Sequence, residues 1–184
     1  MKRFVGWMAG AALALVCAAG LGGWMPAFAA NASSGSPADD ASRLAALASG
    51  LIAEDGRLWV VGVRTSDGLA RWSGEDEAEA LRWIERRQAS LEGENADWFV
   101  NVQGTLVPAD VEAVWPRLTD AADTTLVEGY EDGTTFSYSY RAPTFSASVG
   151  EGDGSIHLMA AAHLDTETGL WRLTLGTPVV MIEY

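Results

Sequence analysis

The chain has 184 residues, and its 25 acidic and 12 basic side chains give a formal net charge of −13. A surface this negative repels nucleic acid and anionic lipid headgroups unless a local arginine cluster reverses the field. The densest arginine cluster, at residues 82–87, is surrounded by acidic residues on one predicted helix, so we predict no nucleic-acid binding.

The first thirty residues have the features of an export signal. Two basic residues begin the segment, Val5–Met25 carries no charge, and Ala27–Ala29 has the small-x-small pattern that signal peptidase recognises. We therefore predict a signal peptide over residues 1–29, cleavage between Ala29 and Ala30, and secretion to the extracellular face of the cell envelope. The alternative is an uncleaved membrane anchor, since about 20 apolar residues span a bilayer. N-terminal sequencing distinguishes the two.

Removal of the signal changes both the charge and the cysteine content. Lys2 and Arg3 leave with it, so 10 basic residues remain against 25 acidic ones, a net charge of −15. Cys17 is the only cysteine, so the mature chain has no disulfide, no thiol nucleophile and no cysteine-ligated zinc. Val16 stands where a lipoprotein signal has a small residue, which argues against lipid attachment at Cys17.

Small polar residues at 30–37 predict a flexible tether, followed by one domain over residues 38–184. The first half of that domain is predicted to contain a helix, a hairpin, a second helix capped by Ser73, a strand and a third helix. Pro116 should kink or shorten the third helix. These elements are expected at about 39–54, 58–63 with 69–72, 74–92, 98–104 and 109–122.

The second half is predicted to be a meander of strands. Asp132-Gly133 is a strong hairpin signal between two alternating runs, and residues 166–169 separate a second pair. These strands are expected at 126–130, 134–140, 156–164, 170–175 and 179–184. Hairpins and the absence of long crossovers predict an α+β fold, an antiparallel sheet with helices packed on one face.

The final apolar run carries a separate expectation. Val179–Tyr184 is too continuously apolar for an exposed tail, and Pro178 suits the first residue of a strand because it lacks an N–H. We therefore expect this run to form the last strand inside the sheet. Its deletion would then unfold the domain.

The closing stretch Leu173–Tyr184 resembles the C-terminus of the YwmB family, which comprises exported proteins of Bacillota. The segments Ile156–Met159 and Trp171–Leu173 match the same ending, and Trp98–Thr105 and Thr134–Tyr140 resemble earlier family strands. This resemblance implies a TATA-box-binding-protein-like fold, no established activity and no catalytic residues. Family members carry an extra helix-and-strand unit where this chain has only about residues 141–153. A shared fold also does not carry a DNA-binding site with it.

The two histidines, His157 and His163, fall on one predicted strand and on one face of it. At about 3.3 Å per residue they lie roughly 20 Å apart, so they cannot ligate one metal ion together. The loops at 128–132 and 150–154 contain carboxylates, but not at the offsets of a calcium loop. We predict no metal and no cofactor.

Phe136, Tyr138 and Tyr140 form an aromatic stripe on one face of a predicted strand. Such a stripe is usually the core side of a sheet, and the same interpretation applies to Trp59, Trp72 and Trp83. A flat aromatic row can instead stack on sugar rings, which makes the three residues a candidate ligand platform.

Two features argue against catalysis. No Gly-x-Ser-x-Gly elbow exists, and the acidic residues single out no convergent pair for hydrolysis. The predicted function is therefore an exported, non-enzymatic cell-envelope protein that contacts another envelope protein. The alternatives are a small-ligand or glycan-binding module that uses the aromatic stripe and, third, a hydrolase.

Overall fold

Seven strands form one antiparallel sheet in the residues that the computed structural model describes, 35–91, 94–108 and 110–182. Three helices accompany them: α1 (Pro37–Ala48), α2 (Glu77–Ser90) and α3 (Val114–Ala122). The strands are β1 (Leu58–Thr65), β2 (Gly68–Gly74), β3 (Asp97–Thr105), β4 (Thr125–Glu131), β5 (Thr135–Arg141), β6 (Leu158–Asp165) and β7 (Leu170–Thr177). Their order in the sheet is β2-β1-β3-β7-β6-β5-β4. The predicted α+β class is confirmed.

The helices pack on one face of the sheet, which alternation along each strand makes apolar. Trp59, Val102 and Leu175 lie side by side across β1, β3 and β7 on this face. They belong to a core that the helices complete with Leu44, Leu47, Ile84 and Leu118. The other side of the sheet, here called the open face, carries the alternate residues.

The predicted hairpins are confirmed because local turn chemistry specifies them. β1 and β2 pair from Thr65 and Gly68 outward. Between β4 and β5, the Asp132 carboxylate accepts from the N–H groups of Thr134 and Thr135 at 3.1 and 2.8 Å. These bonds lower the pKa of Asp132.

The helices start and end differently from the prediction. Ser36 and Asp39 form a capping box, so α1 begins at Pro37 within the predicted tether. The helix ends at Ala48, before Gly50 at φ +75°, and Ile52 instead bridges to Leu106. The other two helices, in contrast, begin later than predicted.

Asp76, and not Ser73, caps α2, because Ser73 is still paired with Val60 in the β1–β2 ladder. α3 begins at Val114 after one 3₁₀ turn, which places Pro116 in its first turn. A proline is tolerated there because the first N–H groups of a helix have no intrahelical partner. The predicted shortening of this helix is confirmed.

The predicted C-terminal strand is wrong for its described residues, 179–182. β7 ends at Thr177, a cis peptide bond joins Thr177 to Pro178, and residues 179–182 form no strand. The physical reason is that β7 already pairs with β3 on one side and β6 on the other. No ladder position beside β7 is left for a further strand. The segment lies on the open face instead.

The signal peptide, its cleavage site and most of the tether lie outside the described residues. Within the described ranges, the helices are all too short or too polar to cross a membrane.

Candidate functional site

The aromatic stripe lies on the helix-covered face. Tyr140 is only 3% exposed and belongs to the core, whereas Phe136 and Tyr138 are half-buried against it. Trp115 of α3 packs over both of the half-buried rings, with centroid distances of 5.8 Å to Phe136 and 4.5 Å to Tyr138. The rings meet at interplanar angles of 38° and 60°. The stripe is thus an interlocked cluster, and a ligand platform stays a prediction for its half-buried rings.

The phenols of this stripe are hydrogen-bond donors at neutral pH. Burial, followed by the hydrogen bond that the Tyr138 hydroxyl donates to Glu131, raises the pKa of Tyr138. Burial alone raises the pKa of Tyr140 to about 12. A protonated phenol beside a carboxylate holds the Glu131 side chain against the sheet.

The two histidines occupy different environments. His163 lies on β6, where its Nδ1 is 3.0 Å from the Thr135 hydroxyl. His157 precedes β6, is buried, and donates its main-chain N–H to the Tyr140 carbonyl at 2.9 Å. The placement of both histidines on one strand is therefore wrong. Among the described residues, no three or more His, Cys, Asp or Glu side chains are grouped to hold a metal ion.

The buried His157 predicts a specific pH dependence of stability. Burial first, then the Arg141 charge, lowers the His157 pKa below its usual value of 6.5, although Ser155 and Asp40 act in the opposite direction. As the pH falls below about 6.5, the unfolded chain takes up the proton before the folded one, so stability is lost. We expect His157→Gln to reduce the stability difference between about pH 7.5 and about pH 5.5 in urea unfolding. An unchanged difference would show that His157 does not titrate differently in the two states.

The open face carries uncharged polar side chains that are nevertheless buried. Gln103 on β3 donates to the Thr174 hydroxyl on β7 at 2.9 Å and accepts from the Arg172 guanidinium at 3.4 Å. Asn101, two residues earlier, is fully buried beside Gly176. Sequence reasoning missed this face, although amides alternating with valines in a predicted strand were an available signal.

β4 is the most exposed strand, and it forms one edge of the sheet. Leu126 and Tyr130 are 54% and 41% exposed. Glu128 and Glu131 on the strand and Asp132 directly after it supply three carboxylates, and the strand itself contains no basic residue. A bulge between Leu126 and Glu128 interrupts the pairing with β5, with two paired residues before it and four after it. This strand is an apolar and acidic edge.

Comparison with known proteins does not place the chain in a family. It matches no protein-family model and no curated protein. The resemblance to the YwmB family therefore stays a proposal, and the function has to be argued from the geometry of the described residues.

Proposed function

We propose that the protein is an exported, non-enzymatic interaction module that binds an extended, positively charged segment of another envelope protein along β4. The observation that carries this proposal is the exposed acidic edge of the sheet. An edge strand presents alternate main-chain N–H and C=O groups outside its ladder, and an added strand from a partner satisfies them.

The side chains of β4 favour one kind of partner. Exposed Leu126 and Tyr130 offer apolar contact. Glu128 and Glu131 are three residues apart in the regular part of the strand, so their carboxylates lie on opposite faces of the sheet and attract lysine or arginine on both faces of an added strand. The same carboxylates repel a second copy of this acidic chain, whose formal net charge is −13. Charge therefore selects against self-association and for a basic strand.

The family and the fold are proposed from other features of the chain. The resemblance of residues 156–184 favours the YwmB family, and an antiparallel sheet with helices on one face is compatible with a TATA-box-binding-protein-like arrangement. Export is supported by the N-terminal thirty residues. Neither the family nor the fold indicates a partner, so the kind of partner is inferred from the exposed edge strand β4.

The test uses a capped peptide of about ten residues, near the upper end of strand lengths, in which pairs of lysines alternate with pairs of valines, so that lysine lies on both faces of the added strand. We expect the protein to bind it in fluorescence anisotropy at low salt, and not to bind a peptide in which glutamate replaces each lysine. The double variant Glu128→Lys/Glu131→Lys should weaken binding about tenfold, because two exposed ion pairs contribute up to about 1 kcal/mol each.

The matched control is Glu75→Lys/Glu85→Lys, which changes the net charge equally. Glu85 lies on α2, which packs against β1 and β2 at the opposite end of the sheet order. Binding should survive in this variant. Equal losses in the two variants would show non-specific attraction by the whole acidic surface, and would contradict a site at β4.

A further inference from the structure

The Asn101 side chain holds the C-terminal segment on the open face. The Asn101 amide donates from Nδ2 to the Val179 carbonyl at 2.8 Å. Its Oδ1 accepts the Met181 N–H at 2.5 Å. Asn101 is fully buried, and residues 179–182 are half-buried above it.

Both hydrogen bonds join the Asn101 side chain to main-chain atoms of the C-terminal segment. An asparagine amide carries one acceptor and two donor hydrogens, so it can bond a carbonyl and an N–H at once. The carbonyl and the N–H that it binds here belong to residues two positions apart in the chain, Val179 and Met181. Bonds of this kind are how strand-adding sites obtain affinity without reading sequence.

Gly176 provides the space for this contact. It lies beside Asn101 in the β3–β7 ladder. A Cβ atom at this position would be 2.6 Å from the Val179 carbonyl oxygen and 2.7 Å from the Asn101 amide nitrogen. The φ angle of Gly176 is not in the positive range, so glycine is needed here for close approach and not for conformation.

We propose that Asn101 and Gly176 form a binding site for the main chain of an extended, apolar peptide, and that residues 179–182 are the peptide it holds. This site is separate from the β4 edge. Because the segment is tethered to β7, its effective concentration is high, of millimolar order for a short linker. A free peptide of the same sequence therefore binds only when the tethered segment has been displaced.

The first test measures hydrogen exchange of the Met181 amide by NMR in the full chain. Asn101→Leu removes the acceptor, and Gly176→Ala places a methyl group where the Val179 carbonyl lies. Both variants should speed Met181 exchange at least about tenfold while the amides of β3 and β7 stay protected. Gly154→Ala is the control, since a Cβ there meets nothing within 4 Å. Unchanged Met181 exchange in both variants would overturn the proposal.

The second test removes the tethered segment from the site and leaves Asn101 and Gly176 unchanged. Met181→Pro removes the N–H that Asn101 accepts, so the tethered segment is released and Asn101 and Gly176 remain. A labelled octapeptide with the sequence of residues 177–184 should then bind this variant, and should bind at least about tenfold more weakly when N-methylated at its methionine. Equal binding of the two peptides, or no binding of either, would refute a main-chain site. Loss of lysine–valine peptide binding at β4 would not affect this result.

Discussion

Replacing Asp40 with alanine is expected to lower the free energy of unfolding by about 3 kcal/mol. Asp40 is 1% exposed, on α1, and its carboxylate accepts from the Ser146 N–H at 2.9 Å, the Ser146 hydroxyl at 2.6 Å and the Ala147 N–H at 3.1 Å. Hydrogen bonds to a charged group contribute about 1.5–3 kcal/mol each. Removal of the acceptor also leaves two main-chain N–H groups without a hydrogen-bond partner. The contributions are not additive, which keeps the expected loss near 3 kcal/mol.

The measurement is urea unfolding of the full chain, followed by tryptophan fluorescence. Asp39→Ala is the matched control, because it removes the same charge from the neighbouring position of the same helix. Asp39 is exposed and bonds only within the capping box with Ser36, so its loss should be clearly smaller. Asp40→Asn keeps one acceptor oxygen and should fall between them. If the two alanine variants were equally destabilised, the hydrogen bonds from Asp40 to residues 146–147 would not contribute to stability.

The contact between Asp40 and residues 146–147 is one that the sequence does not predict. Asp40 was predictable as a helix-start residue, because an acidic side chain in the first turn favours the helix dipole. Its actual partner is 106 residues away along the chain, in the connection between β5 and β6. Nothing in the local pattern of either segment specifies that contact, since it depends on how α1 lies over the sheet. The buried position of Asp40 therefore could not be predicted.

The strands were predictable to the extent that turns and alternation specify them. Asp132-Gly133 and Gly169 mark turns that the structure contains, and β3 lies within one residue of its predicted bounds. Residues 179–182 had the composition of a strand but no neighbour to pair with, because strand order is a property of the whole sheet. Composition predicts burial of such a run, and topology decides where it lies.

The same distinction applies to the candidate sites. The aromatic stripe was predictable because aromatic residues occupy every second position of the strand, and Tyr140 is buried. The Asn101 contact was not visible, since it needs Gly176 beside Asn101 and the segment after Pro178 above both. The β4 edge required the strand order, which places that strand outermost.

Replacing Gly62 with alanine is expected to lower the free energy of unfolding by about 2–3 kcal/mol, because the new methyl group would clash with one neighbouring side chain. Gly62 on β1 lies opposite Phe99 on β3, and the buried Phe99 ring folds directly over it. A Cβ atom on Gly62 would come within 1.9 Å of the ring Cζ. The ring must therefore leave its position, and forcing an extra methyl group into a packed site costs about 1–3 kcal/mol. Gly154→Ala, in open space, should be nearly silent.

A double-mutant cycle identifies Phe99 as the cause. In a Phe99→Ala background the clash is gone, and Gly62→Ala then replaces a flexible residue in a strand with one that loses less entropy on folding, a gain of about 0.5–1 kcal/mol. The same substitution should therefore destabilise the natural chain and stabilise the Phe99→Ala variant, which urea unfolding of the four proteins can measure. Equal costs in both backgrounds would place the strain elsewhere. A reversal of sign would show that the ring over Gly62, and not the backbone of β1, requires glycine at this position.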